Sequence, residues 1–197
     1  TTVSENFCEL TPDLNTVHRK LKLSDNNRKV VHMKEDQLYT DNPDRFDSPQ
    51  LMCTNSLTGR CYWEVECRGE VLIAVTYKGI KRKGSSDDNR FGRTNESWCL
   101  YCEDRDYFVM HNYTARAIPV PSSSAPPKVA VYVDYNAGTV SFYRVFPESL
   151  FHLYTYNTTF TEPVYPGFRV RFCDSYELYL FSPSPIPAPL VLLENNV

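Results

Sequence analysis

Residues 59–67 read GRCYWEVEC, and this run is the clearest indication of the fold class in the chain. Within it the apolar Trp63 and Val65 alternate with the acidic Glu64 and Glu66. An alternation of period two places one set of side chains on each face of a β-strand, whereas a helix repeats every 3.6 residues. The stretch therefore predicts a strand, with Trp63 as a large anchor of the hydrophobic core.

Strand-like runs recur along the rest of the chain, and no 12-residue window keeps a helical period. A chain with 14 prolines, 14 tyrosines and 11 phenylalanines also favours short strands separated by turns. Between two of the runs, Gly138 is predicted to supply a turn with positive φ, and Asp134 to accept a hydrogen bond within that turn. The pattern predicts a sandwich of two antiparallel sheets. The runs are residues 61–67, 71–77, 97–103, 107–111, 128–135, 140–143, 150–156, 168–172 and 177–181.

Length and charge exclude several classes of protein. A chain of 197 residues can bury roughly 70% of its unfolded surface, so the fold needs neither disulfides nor metals. A formal net charge of −3 excludes a broad basic footprint for nucleic acid. No apolar run approaches the ~20 residues of a membrane span, so we expect no membrane insertion by this domain. Because the chain opens without methionine, we expect it to be cut from a longer protein.

The chain has seven cysteines, an odd number. Cys61, Cys67, Cys99 and Cys102 lie in strand-like runs and are expected to be buried free thiols. No second pair of ligands follows the Cys99–Cys102 pair at zinc spacing, so we expect no metal. These features favour a reduced, cytoplasmic domain, while glycosylation sequons leave a secreted alternative open. The sequons lie at Asn95, Asn112 and Asn157.

The residues do not assemble a known catalytic motif. The four histidines form no metal-binding pattern, and there is neither a GxSxG elbow nor a glycine-rich phosphate loop. Glu64 and Glu66 share one strand face, as paired glycosidase carboxylates do, but simple alternation produces such pairs routinely. We therefore predict that the domain is not an enzyme and binds no cofactor.

Three ordered stretches resemble the PRY–SPRY (B30.2) family. Residues 10–18 (LTPDLNTVH) with 23–28 (LSDNNR) are similar to the first family signature, although Pro12 and Asp13 reverse its usual order. The second and third signatures are similar to residues 59–66 (GRCYWEVE) and 133–143 (VDYNAGTVSFY), and residues 165–168 (YPGF) add a late element. The resemblance divides the chain into a PRY segment, residues 1–58, a SPRY core, residues 59–182, and a proline-rich tail, residues 183–197.

This resemblance implies an all-β fold, a bent antiparallel β-sandwich of the concanavalin-like jelly-roll type with a short N-terminal PRY segment. Family members recognise proteins, most often as the C-terminal domain of tripartite-motif ubiquitin ligases, and also in butyrophilins, NLR-type receptors and stonefish-type toxins. We therefore expect a substrate-recognition domain that belongs to a tripartite-motif-type ubiquitin ligase or to a related innate-immune protein. We expect this domain to be cytoplasmic and, in isolation, monomeric. One alternative is the C-terminal domain of a secreted pore-forming toxin, and another is a carbohydrate-binding or glycosidase sandwich that uses Glu64 and Glu66.

The resemblance also implies a shallow binding pocket. Its positions fall here at Leu72, Tyr101, Glu103 and Phe172, and the first three depart from the residues of antibody-binding members. Four long polar segments, residues 33–50, 81–96, 112–127 and 144–150, are expected to be loops that carry binding contacts. Because exposed aromatics and arginines are enriched at interfaces, we add further candidate contact residues by residue type. We expect truncation of Arg45, Tyr101 or Phe172 to weaken binding of the partner while the fold stays intact. The added candidates are Tyr39, Arg45, Phe46 and Tyr107.

Overall fold

A computed structural model describes residues 3–125, 127–171, 177–181 and 191–193. Within this part of the chain lie fourteen β-strands and two 3-10 turns, Val3–Asn6 and Asp87–Asn89. The strands are β1 (Leu21–Ser24), β2 (Lys29–His32), β3 (Gln50–Met52), β4 (Arg60–Arg68), β5 (Glu70–Tyr77), β6 (Ser97–Glu103), β7 (Asp106–His111), β8 (Thr114–Ile118), β9 (Lys128–Asp134), β10 (Thr139–Phe146), β11 (Ser149–Asn157), β12 (Val164–Val170), β13 (Glu177–Phe181) and β14 (Val191–Leu193).

The strands form two sheets. The eight-stranded sheet has the order β1-β2-β13-β4-β9-β10-β11-β14, and the six-stranded sheet has the order β3-β12-β5-β6-β7-β8. Among the described residues, every pairing between these strands is antiparallel except the edge pair of β11 with β14. The predicted all-β antiparallel sandwich is confirmed. The first 58 residues contribute strands to both sheets, so this segment is part of the sandwich.

Each strand-like run of the sequence overlaps an observed strand, but the expected loops are partly wrong. Strand β8 lies within the segment 112–127, and residues 144–150 are mostly the ends of β10 and β11. Strand β8 is an edge strand whose residues are mostly exposed, so its sequence is as polar as that of a loop. Residues 144–150 contain the ends of two strands around a short turn, residues 147–148, too little of either strand for an alternation to stand out. Residues 191–193 of the predicted tail pair with β11, and the other tail residues, 183–190 and 194–197, lie outside the described part of the chain.

The main core lies between the two sheets. Trp63 on β4, Ile73 on β5, Leu100 on β6 and Phe168 on β12 are all buried there in one cluster. Trp63 is therefore the core anchor that the alternation in β4 predicts. The turn prediction is also confirmed, because Gly138 has φ 69°.

One cysteine prediction is wrong. Cys8 and Cys61 form a disulfide with their Cα atoms 5.6 Å apart, a separation typical of such bonds. A backbone hydrogen bond from Cys8 N–H to the carbonyl of Tyr62 holds the N-terminal segment beside β4, which brings the two thiols together. The remaining predicted thiols, Cys67, Cys99 and Cys102, are free and buried as expected.

Loops cover part of the outer face of the six-stranded sheet and create a second, smaller core. Phe46 from the β2–β3 loop and Ile80 and Phe91 from the β5–β6 loop pack over Leu72 and other outward-facing residues of this sheet. The rings of Phe46 and Phe91 meet edge to face with centroids 5.5 Å apart. This layer stops before it covers the whole face, and a pocket lies at its boundary. No helix in the described residues is long and apolar enough to span a membrane.

Candidate functional site

A pocket of about 190 Å³ opens on the outer face of the six-stranded sheet. Most of its lining residues come from four neighbouring strands or their ends, and one comes from the loop between β5 and β6. They combine two apolar side chains, a tyrosine, three arginines and one glutamate. The lining residues are Glu70, Leu72, Arg93, Tyr101, Met110, Arg169 and Arg171.

Strand register explains why distant parts of the sequence meet in this pocket. Leu72 on β5 pairs with Arg169 of β12 on one side and with Tyr101 of β6 on the other. Directly opposed residues project from the same face of a sheet, so the three form a row across it. Their neighbours Val71 and Ile73 project the other way into the main core.

The loop that carries Arg93 is anchored from below. Gln50 is fully buried; its Nε2 donates to the carbonyl of Asn89 at 2.6 Å, and its Oε1 accepts from Phe91 N–H at 3.3 Å. Gly92 takes φ 81° and donates its N–H to Ser97 Oγ at 2.8 Å. The positive φ turns the chain sharply, and these bonds hold the turn in place, so Arg93 reaches the pocket from a fixed backbone.

Glu70 links two other members of the pocket. Its Oε2 accepts a hydrogen bond from Tyr101 Oη at 2.9 Å and one from Arg171 Nη1 at 2.8 Å. Burial, followed by the neighbouring Glu70 carboxylate, raises the pKa of Tyr101 to about 12. The hydrogen bond to Glu70 also raises the pKa of Arg171 above its ordinary value. The phenol thus stays protonated and the guanidinium stays charged at neutral pH.

The remaining arginines of the pocket have no such counter-ion. In the part of the chain that the structure describes, no carboxylate lies within ion-pairing distance of Arg93 or Arg169. Burial lowers the pKa of Arg169, and the nearby charges of Arg90, Arg93 and Arg171 lower it further. Several positive charges are therefore held together beside an apolar wall.

Of the four positions that the resemblance implies, the structure places two in the pocket wall and one outside it. Leu72 and Tyr101 line the pocket side by side, and their role in binding a partner stays a prediction. Glu103 is exposed at the end of β6 and does not line it. Phe172 lies outside the described residues, and its predicted role remains a prediction.

The prediction that Arg45 and Phe46 are exposed contact residues is wrong about their exposure. Arg45 is only 5% exposed and Phe46 only 1%. The guanidinium of Arg45 donates to backbone carbonyls within the first 58 residues, and Phe46 belongs to the second core. Residue type and loop position do not separate a buried anchor of a loop from an exposed contact, which is why sequence reasoning misplaced both.

Tyr39 and Tyr107 do not line this pocket either. Tyr39 is half-buried, donates its hydroxyl to the carbonyl of Leu21 at 2.6 Å, and lies 5.0 Å from the Arg45 guanidinium. Tyr107 is buried in the main core and borders a different cavity. Their roles in binding stay predictions.

That second cavity, of about 470 Å³, lies between the β6–β7 turn and the segment that follows β8. Some of the charged groups in its wall are already engaged. Glu66 pairs with Arg68 at 2.8 Å, and Arg144 donates to the carbonyls of Lys128 and Ala125. Its lining holds three acidic and three basic side chains, so this cavity has no excess of positive charge. The pocket lined by Arg93, Arg169 and Arg171, hereafter the arginine pocket, has three arginines against one glutamate.

Sequence reasoning missed five lining residues, Glu70, Arg93, Met110, Arg169 and Arg171. A signal existed for some of them. Glu70 lies two residues before Leu72, and Arg169 and Arg171 alternate with the core residues Phe168 and Val170. Extending the alternation from each recognised position would have placed these charges on the pocket face.

The acidic pair of β4 is part of the strand packing. Glu64 is 4% exposed, accepts a hydrogen bond from Tyr62 Oη at 2.8 Å and pairs with Lys128 Nζ at 3.2 Å. Among the described residues there is also no cluster of His, Cys, Asp and Glu arranged to hold a metal ion. The arginine pocket contains no nucleophile beside a general base. Its apolar and charged side chains are suited to binding a ligand.

Comparison with known proteins gives two adjoining family matches. The SPRY domain matches residues 60–181, and the SPRY-associated PRY domain matches residues 10–57. Stonustoxin subunit beta from Synanceia horrida is 42% identical over 165 residues, which is 83% of this chain and 23% of the toxin subunit. Tripartite motif-containing protein 16 from Mus musculus is 32% identical over 165 residues, which is 82% of this chain and 29% of that protein.

Solved structures agree with these matches. The stonustoxin structure superposes with a TM-score of 0.81 at 38% identity, covering 91% of this chain and 28% of the toxin chain. The TRIM65 PSpry domain superposes with a TM-score of 0.80 at 26% identity, covering 92% of this chain and 93% of that domain. The chain thus spans about a quarter of the length of the curated relatives that it matches.

Proposed function

This chain belongs to the PRY–SPRY family, and we propose that it is a protein-recognition module that binds its partner through the pocket around Leu72, Tyr101 and Arg169. SPRY domains are protein-binding modules. The observation that carries the proposal is the row of these three residues across the open part of the six-stranded sheet.

The size and lining of the pocket support a protein partner. Pockets for small molecules usually enclose about 300–1,000 Å³, so a pocket of about 190 Å³ suits a single anchoring side chain. Tyrosine, methionine and arginine, which are enriched at protein interfaces, make up most of its wall. The sandwich beneath supplies the rigid support that fixes these side chains before binding.

The experiment compares capture by three forms of the domain. The wild type, the pocket variant Tyr101→Ala/Met110→Ala and the surface control Leu38→Ala are immobilised and exposed to cytosolic lysate and, separately, to secreted medium. Leu38 is fully exposed and far from the pocket in sequence. Each form must first show the same melting temperature, because a misfolded variant would lose binding for an unrelated reason.

We expect a partner that the wild type and Leu38→Ala retain and the pocket variant loses. Truncation of a central contact residue typically costs about 1–3 kcal/mol, so the double variant should bind at least ~10-fold more weakly. Capture of an identical set of proteins by all three forms would contradict a role for this pocket.

We further propose that the module directs the activity of a longer protein, such as a tripartite-motif ubiquitin ligase or a related immune receptor, towards the bound partner. The similarity to tripartite motif-containing protein 16 supports this context. In this arrangement a domain outside the present chain would act on the partner.

A second context, a subunit of a stonefish-type toxin, is favoured by two observations. The chain is 42% identical to stonustoxin subunit beta, and it carries the Cys8–Cys61 disulfide. Disulfides persist mainly in oxidising compartments, which include the secretory pathway. Mass spectrometry of the native protein after thiol blocking separates the two contexts, because a reduced pair indicates the cytoplasm and an oxidised pair indicates secretion.

A further inference from the structure

The pocket holds more positive charge than its own residues neutralise. Three arginines line it against one glutamate, and Arg171 already engages that glutamate at 2.8 Å. Within the described chain, Arg93 and Arg169 face no carboxylate of their own. Gathering cations that repel one another beside an apolar wall costs free energy, and an incoming anion would offset this cost.

The environment of these arginines favours a tight contact with an anion. Leu72 is buried at the base of the pocket and Met110 lies beside it, so water is partly displaced around the charges. A charge pair gains more from attraction where the surroundings are less polarisable than water. The planar guanidinium also offers parallel N–H donors that match the two oxygens of a carboxylate or the oxygens of a phosphate group.

The pocket is preorganised for this role. Arg93 follows a glycine turn that is tied to Ser97 and Gln50, and Arg169 projects from a strand paired on both sides. Glu70 holds Arg171 by a hydrogen bond, which fixes that guanidinium at the edge of the pocket. Little ordering would therefore be needed when a ligand enters.

We propose that this pocket receives an anionic side chain, a carboxylate or a phosphorylated hydroxyl, from the protein partner. The inference rests on the proposed function and adds the chemistry of the group that is recognised. Arg93 and Arg169 would contact the anion, while Leu72, Met110 and the ring of Tyr101 would enclose the carbons that carry it. The volume of about 190 Å³ suits one such side chain.

The test uses four fluorescent peptide pools that are identical except at one central position. That position is fixed as glutamate, phosphoserine, glutamine or lysine, the flanking positions are degenerate, and both termini are blocked so that they carry no charge. Binding to the wild-type domain is followed by fluorescence polarisation. We expect the glutamate or the phosphoserine pool to bind at least 10-fold more tightly than the glutamine pool, and the comparison of these two pools identifies the preferred anion.

Variants then assign the effect to this pocket. Arg93→Gln/Arg169→Gln should reduce binding of the anionic pools to the level of the glutamine pool. The control Arg105→Gln removes an exposed arginine from the other cavity and should leave the preference unchanged. If the double variant melts at a lower temperature, Arg93→Gln alone, a change in a loop, should still weaken anionic binding by at least 5-fold.

Two results would overturn the inference. In the first, the wild-type domain binds neither anionic pool more tightly than the glutamine pool, or binds no pool at all. The other is a preference that survives the loss of both arginines. Selective loss of a captured partner on Tyr101→Ala/Met110→Ala, together with either result, would leave the proposed function standing and refute only the anionic specificity.

Discussion

Replacing Arg45 by alanine should destabilise the whole domain. The side chain is enclosed, and its guanidinium joins two separate stretches of the first 58 residues. Nη1 donates to the carbonyl of Val17 at 2.6 Å and to that of Leu14 at 3.2 Å, while Nη2 donates to the carbonyl of Thr40 at 2.7 Å. The variant removes all three bonds at once.

The magnitude follows from these contacts. A hydrogen bond that involves a charged group contributes about 1.5–3 kcal/mol. The full sum overstates the loss, because truncation also removes the cost of burying the guanidinium and lets water reach the carbonyls of Leu14 and Thr40, which are less buried than that of Val17. We therefore expect the free energy of unfolding to fall by about 3 kcal/mol. For a domain of this size each kcal/mol lowers the melting temperature by about 2–4 °C, which gives a decrease of about 6–12 °C.

Urea denaturation followed by tryptophan fluorescence measures this change, since both tryptophans, Trp63 and Trp98, are buried. The matched control is Arg19→Ala. Arg19 is 52% exposed and lies 3.9 Å from Asp36, a surface ion pair that contributes less than about 1 kcal/mol. If Arg45→Ala lowered stability no more than Arg19→Ala does, the carbonyl contacts would not be what holds these stretches together.

Three further predictions concern other parts of the domain. The Cys8–Cys61 disulfide closes a loop of 53 residues, so its reduction should lower the free energy of unfolding by about 4 kcal/mol on the chain-entropy relation. Thermal melting with and without a reductant measures this, and a Cys8→Ser variant should melt at the same temperature in both conditions. Stability should fall as the pH drops from about 6.5 towards 4, because burial lowers the pKa of His18 to about 4 and the unfolded chain therefore binds a proton that the folded chain excludes. In thermal melts at a series of pH values, His18→Asn should flatten this dependence, and an unchanged dependence would contradict the role of His18. Gly138→Ala should cost at least about 1 kcal/mol in urea, because Gly138 has φ 69° and an added Cβ would collide with the carbonyl of Thr158; wild-type stability would contradict this account of the turn.

The sequence predicted the framework well because the framework depends on local pattern. Strand β4 alternates strictly, and β5 is apolar at almost every position because the main core covers one face and the loop layer covers much of the other. Strands β1, β2 and β3 were missed. They are only three or four residues long, too short for an alternation to stand out from a loop.

The disulfide and the loop layer depend on contacts between distant residues. Cys61 lies in a strand-like run, where a free buried thiol is the usual interpretation, and only the docking of residues 7 and 8 beside β4 shows its partner. Phe46 has the polar neighbours of a typical loop residue, yet its ring packs against Phe91 from another loop. Two loops that bury each other's side chains leave no periodic pattern in either one.

The arginine pocket shows why net charge does not describe a binding surface. A formal charge of −3 excludes a broad basic footprint for nucleic acid. Salt screens exposed charges over about 8–10 Å, however, so a ligand in the pocket responds mainly to the arginines nearest to it. A long polyanion would also meet the acidic remainder of the surface. The combination of a local positive pocket and an overall negative chain therefore favours a single anionic side chain, presented by a partner whose other contacts are apolar or polar.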